Sequence, residues 1–139
     1  MIRIAIVEDD TGYRSQLGKY IDQYQSDFSE TVSVSEFSDG LEIVEKYKSE
    51  YDIILMDIQM KHMDGMQAAM RIRDMDKNVI IIFITNSAQF AVQGYKVEAL
   101  DYVLKPIQYF AFSQVLHNAV KKVYGKSKFY IHLLQESKM

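Results

Sequence analysis

Cysteine is absent from the 139-residue chain, which excludes disulfides, thiolate metal sites and cysteine nucleophiles. Tryptophan is absent as well, so no tryptophan fluorescence can report ligand binding. One proline and six glycines leave little room for low-complexity linkers, and disorder is not expected. Neither sign of charge dominates: 16 basic against 19 acidic residues give a net charge of −3, with no global attraction to nucleic acid or to an anionic membrane. Long hydrophobic runs are missing too. The longest, Val79 to Ile84, falls far short of the roughly 20 residues a spanning helix needs. An amino terminus that starts a strand rather than a signal peptide completes the expectation of a cytoplasmic protein without membrane contact. What is present is a globular composition, 48% hydrophobic and 25% charged, at a length that suits one domain with one packed core.

Four short apolar runs stand out: "IRIAIV" (2–7), "DIILM" (52–56), "VIIIFI" (79–84) and "DYVL" (101–104). Rich in isoleucine and valine with little polar alternation, they have the pattern of strands covered on both faces. "TVSVSEF" (31–37) alternates instead and suits an edge strand. Helical patterns lie between these runs. Leu17, Tyr20, Ile21 and Tyr24 fall at i, i+3, i+4 and i+7, as do Phe112, Val115, Leu116 and Ala119, with Val120 and Val123 continuing the stripe. Ser38 or Asp39 can cap a helix carrying Leu41, Ile43, Val44 and Tyr47. A further helix is expected from about Met66 to Asp74 with Met66, Ala69 and Met70 inward.

This order is β-α repeated five times, which predicts an α/β, doubly wound parallel sheet with helices on both faces and right-handed crossovers. In such folds ligands bind at the carboxyl ends of the strands, beside the point where strand order reverses. Glu8-Asp9-Asp10, Asp57, Thr85-Asn86-Ser87 and Lys105-Pro106 stand at those ends. Glu8, Asp9 and Asp57 would repel one another if adjacent, and Lys105 offsets one charge. A divalent cation closes the balance, and an all-oxygen site favours Mg²⁺ or Mn²⁺. Acids, a cation, a lysine and the Thr85 hydroxyl together suit phosphoryl transfer to a carboxylate nucleophile. Plainer readings exist for each residue alone. The acidic run could be a solvated loop, Asp57 or Thr85 a helix cap, and Tyr102 a half-buried strand residue.

Taken together, Glu8-Asp9, Asp57 within "DIILMDIQMKHMDG", Thr85 and "DYVLKP" resemble, in order and spacing over about residues 1–124, the receiver domain of two-component response regulators. The resemblance implies a flavodoxin-like fold with five parallel strands in order 2-1-3-4-5 and five helices. It implies that Asp57 accepts a phosphoryl group from a sensor histidine kinase, as a signalling switch rather than an enzyme. Asp9 would ligate Mg²⁺ directly and Glu8 mainly through water, with Asp57 and the backbone carbonyl of Gln59 completing the protein ligands. Lys105 would pair with the acyl phosphate, Thr85 and Tyr102 would form the switch pair, and the Lys105–Pro106 peptide would be cis. The readout would be dimerisation on phosphorylation or control of an output domain.

"IIFITNSAQFAVQGYKVEALDYVLKP" is further similar to receivers joined to a LytTR-type DNA-binding domain, which implies transcription regulation with DNA contacted only through that domain. Residues 125–139 are then expected to be a linker or the start of the output domain, with "KFYIHLL" (128–134) as a first strand. Two positions depart from the family pattern: Lys61 replaces the usual proline after the "D-x-x-M" turn, and Asn86 replaces a small residue beside the path to Asp57. Both bear on the lifetime of the phosphorylated state. The methionines at 56, 60, 63, 66 and 70 are expected in core and loop packing, and His62, His117 and His132 in no catalytic role.

Three other functions compete. A Mg²⁺-dependent phosphohydrolase with an aspartyl-phosphate intermediate would need a second acid two residues after Asp57, where Gln59 stands. A stand-alone receiver could act through protein–protein contacts. A flavin protein would need a phosphate-binding loop after the first strand, where the acidic "EDDTGY" would repel a phosphate.

Overall fold

The computed structural model describes the backbone of residues 1–137 and the side chains of residues 1–126. The sheet has five parallel strands: β1 (Ile2–Val7), β2 (Val32–Phe37), β3 (Ile53–Met56), β4 (Ile80–Thr85) and β5 (Asp101–Leu104), in the order β2-β1-β3-β4-β5. Helices α1 (Thr11–Phe28), α2 (Gly40–Lys46), α3 (Gly65–Met75), α4 (Ala91–Gly94) and α5 (Tyr109–Ser137) alternate with the strands. Register pairs Ile4 with Ile53, Ile53 with Ile80, and Ile82 with Asp101.

The two-residue period of a strand decides which helices each side chain meets. Ile2, Ile4, Ile6, Ile53, Leu55, Ile80, Ile82 and Ile84 share one face and pack with Leu17, Ile21 and Tyr24 of α1 and Phe112 and Leu116 of α5. Ala5, Val7, Ile54, Met56, Ile81 and Phe83 face the other way and meet Ile43 of α2 and Met66, Ala69 and Ile72 of α3. The central strands are apolar on both faces because both faces are covered. Aspartates start three helices: the side chains of Asp10, Asp39 and Asp64 accept hydrogen bonds from the N–H groups of Tyr13, Glu42 and Gln67 at 3.0, 3.1 and 2.8 Å.

Three expectations are corrected by the structure. Residues 101–104 form an edge strand with no fully buried residue, and Leu104 is 49% exposed, so "DYVL" is not covered on both faces. Its outer neighbours are too short to shield it: the fourth helical segment is one α-turn, α4, between 3₁₀ turns at Ala88–Phe90 and Tyr95–Val97. Met70 points outward at 50% exposure, while Ala68 and Ile72 take the inward positions of α3. Finally, "KFYIHLL" continues α5 to Ser137 rather than forming a strand. Between Tyr124 and that segment the sequence offers no breaker stronger than Gly125, which a helix tolerates at about 1 kcal/mol. Residues 138 and 139, the end of the segment expected as linker or output domain, lie outside the described residues, as does the side chain of His132.

Arg73, near the end of α3, secures the short fourth segment. Its guanidinium donates to the carbonyls of Val79 (2.6 Å), Val97 (2.7 Å) and Glu98 (3.2 Å), tying α3 to the start of β4 and to the turn before β5. Among the described residues no helix is long and apolar enough to cross a membrane.

The inward and outward positions of α3 give a direct stability contrast. Ile72→Ala is expected to cost about 2–5 kcal/mol, since it opens a cavity in a packed core. Met70→Ala should stay within about 0.5 kcal/mol, as at other exposed positions. Urea unfolding followed by circular dichroism measures both, and equal costs would refute this placement of α3.

Candidate functional site

Backbone pairing carries the acidic residues to one end of the sheet. The N–H of Glu8 donates to the carbonyl of Phe37 at 3.0 Å, and that of Asp57 to the carbonyl of Val7 at 3.0 Å, so each acid is fixed where its strand leaves the sheet. Lys105 N–H donates to the Thr85 carbonyl at 2.9 Å, which places the lysine just past the end of β5. The Lys105–Pro106 peptide is cis.

Carboxylate oxygens of Glu8, Asp9 and Asp57 lie within 4.8 Å of one another. Lys105 Nζ reaches between two of them, 2.5 Å from Glu8 Oε1 and 3.2 Å from Asp57 Oδ2, with only 3% of its side chain exposed. Asp57 Oδ1 accepts from the N–H of Ile58 at 2.7 Å, and Glu8 Oε2 from the N–H of Asp10 at 3.2 Å. Arg14 donates to the Glu8 carbonyl at 2.7 Å. Around the acids lies a cavity of about 190 Å³ lined by Glu8, Asp9, Asp10, Tyr13, Asp57, Gln59, Asn86 and Lys105. That volume holds several water-sized groups, enough for a phosphoryl group and its hydration.

Electrostatics favours positive charge here. Burial is the largest influence on Glu8 and pushes its carboxyl up to about 7; Lys105 opposes the shift and the Asp57 charge adds to it. Burial alone would lower Lys105, but the bond to Glu8 and the charges of Asp57 and Glu8 outweigh it, and the ammonium is held above the usual lysine range. With all three acids ionised, one lysine leaves an uncompensated charge of about −2, which a hydrated divalent cation matches.

The remaining residues of interest separate into two groups. Gln59 and Asn86 line the cavity, whereas Lys61 is exposed and Thr85 is fully buried, neither of them among the lining residues. Thr85 Oγ1 accepts from the N–H of Ser87 at 3.3 Å, and the Tyr102 hydroxyl donates to the Ser87 carbonyl. Thr85 and Tyr102 thus hold the two sides of one residue, and the half-buried Tyr102 ring lies 6.0 Å from that of Phe83. His62 is exposed, 4.0 Å from Asp39, and His117 bonds the Tyr24 hydroxyl at 3.2 Å, both away from the cavity. Tyr13 was not expected at the site. An aromatic on the first turn of a helix reads as packing, and only the fold brings it over Lys105, 4.1 Å from ring centroid to Nζ.

Comparison with known proteins shows the family and the fold. The family described as response regulator receiver domain matches residues 4–119. The positive alginate biosynthesis regulatory protein of Pseudomonas aeruginosa is 30% identical over 121 residues, covering 87% of this chain and 46% of that protein. The sensory transduction protein LytT of Oceanobacillus iheyensis is 31% identical over 129 residues, covering 91% of this chain and 51% of that protein. The chain therefore spans about half the length of the curated relatives it matches. Among solved structures, the response regulatory domain of MrkE from Klebsiella pneumoniae superposes with a TM-score of 0.80 at 26% identity, over 89% of this chain and 99% of that one.

Proposed function

Because the chain belongs to the response regulator receiver family, we propose that Asp57 is the phosphoryl acceptor of a signalling switch, charged by a sensor histidine kinase. One observation carries the reading: a carboxylate at the end of a rigid central strand, 3.2 Å from a buried ammonium and clustered with two further acids. An Asp57 carboxylate oxygen attacks the phosphorus of a phosphohistidine, the P–N bond breaks, and the imidazole nitrogen keeps the bonding pair and takes a proton. Glu8 and Asp9 would hold Mg²⁺ together with Asp57 and the Gln59 carbonyl; Mn²⁺ has the same ligand preferences. Bound there, the metal would supply positive charge to offset the negative charge developing on the phosphoryl oxygens. Lys105, already paired with Asp57, would neutralise the same oxygens. Thr85 would release Ser87 to bond the phosphoryl group, and Tyr102, held on that same residue, would follow.

Output is proposed to follow the LytTR-type relatives. Residues 1–124 act as the receiver, the segment from 125 leads towards an output domain, phosphorylation favours a homodimer, and DNA is met only through that further domain. Paired half-sites on DNA match a two-fold protein. A cytoplasmic location fits such a partner set. The phosphohydrolase reading finds no support in the cavity, where no acid stands at position 59.

The test is acetyl phosphate with Mg²⁺, followed by intact mass. A gain of a single phosphoryl group that EDTA prevents is expected. Steady turnover of a phosphate monoester without a labelled species would replace the switch by a hydrolase.

A further inference from the structure

The Lys105 ammonium has three protons and two carboxylate partners. Glu8 Oε1 and Asp57 Oδ2 take two of its sides, at 2.5 and 3.2 Å. The next wall is the face of Tyr13, whose centroid lies 4.1 Å from Nζ. The negative face of an aromatic ring attracts an ammonium within about 6 Å and, unlike water, does not screen its other ion pairs. Tyr13 belongs to neither core cluster, is only half-buried, and borders the cavity, so apolar burial does not account for its place. Its backbone is fixed independently, by the N–H bond to Asp10 that starts α1.

We propose that Tyr13 is a positioning residue for phosphoryl acceptance: its ring covers the open side of the Lys105 ammonium and keeps it aimed at Glu8 and Asp57. The proposal rests on the phosphoacceptor reading for its consequence but not for its geometry. With the ring gone, water reaches Nζ, the lysine gains alternative rotamers, and fewer molecules present the ammonium where the incoming phosphoryl oxygens need it.

The experiment has two readouts on the full chain. In NMR spectra, the Lys105 Hε and Hζ protons, assigned through Lys105→Met, are expected upfield of ordinary lysine because they sit in the ring current of Tyr13. Tyr13→Leu should return them to ordinary positions, and Tyr13→Phe should restore the shift. Labelling by acetyl phosphate should slow about tenfold in Tyr13→Leu, the scale of a partly desolvated cation–π contact, and recover in Tyr13→Phe. Lys105 protons at ordinary positions in the unmodified chain, or labelling of Tyr13→Leu at the unmodified rate, would overturn the proposal. If the unmodified chain shows the ring-current shift yet takes no label, the brace stands and the phosphoacceptor reading fails.

Discussion

Asp57→Asn is expected to abolish labelling by acetyl phosphate and Mg²⁺ while leaving the fold intact. The carboxamide matches the carboxylate in shape, and its oxygen can keep the hydrogen bond from Ile58 N–H that Oδ1 receives at 2.7 Å. It cannot serve as the nucleophile, because the amide lone pair is delocalised and no acyl phosphate forms on nitrogen. The substitution also removes one of three acids crowded within 4.8 Å, so the like-charge repulsion on Glu8 falls. The thermal midpoint should therefore not drop, and a lost label cannot be blamed on unfolding. The loss should be complete on the scale of intact mass. A phosphoryl group still gained by the variant would place the acceptor elsewhere and remove the proposed function with it.

Gly65→Ala is expected to cost more stability than alanine at any of the other five glycines. A Cβ on Gly65 would stand 2.0 Å from the carbonyl oxygen of Asp57, 2.9 Å from its carbonyl carbon and 3.0 Å from Ile58 Cα. All three are backbone atoms, so no side-chain rotation relieves the clash. The loop carrying the proposed nucleophile, or the start of α3, must move by about 1 Å or more, against the 2.7 Å bond from Gly65 N–H to the Ile58 carbonyl. A penalty of at least about 4 kcal/mol is expected, among the largest seen for point substitutions and a sizeable part of a typical domain's roughly 5–15 kcal/mol. Gly18→Ala is the control. A Cβ there meets nothing within 4 Å in the middle of α1, and helix propensity predicts a gain of about 1 kcal/mol. Urea unfolding of both variants decides the matter, and a Gly65→Ala cost below about 1 kcal/mol would refute the close approach. Any fraction of Gly65→Ala that folds should label slowly, because the shift displaces Asp57 itself.

Much of the architecture was legible from local pattern. Runs such as "IIIFI" can satisfy two covered faces only as central strands, and Asp39, one of the two caps expected for the second helix, does start α2. Where packing from elsewhere decides, the same reasoning failed. "DYVL" has the composition of a central strand but lies at an edge, because strand order, not composition, sets how many neighbours a strand has. Met70 and Ile72 both fit an inward stripe on α3, and the angle at which α3 meets α2 and the sheet selects Ile72. "KFYIHLL" is apolar enough for a strand or a helix, and continuity with α5 selects the helix.

The site divides the same way. By itself the sequence determined that Glu8, Asp9, Asp57 and Lys105 stand at strand ends, because each follows an apolar run and a parallel sheet brings all such ends to one edge. Tertiary structure alone decided that Thr85 turns to Ser87 and is buried away from the cavity wall, that Gly65 presses against the Asp57 carbonyl, and that Tyr13 lies over Lys105. The reason is range. Strand and helix periodicity act over a few neighbouring residues and are written in them, whereas these contacts depend on angles between elements far apart in the chain, fixed only when the whole core packs.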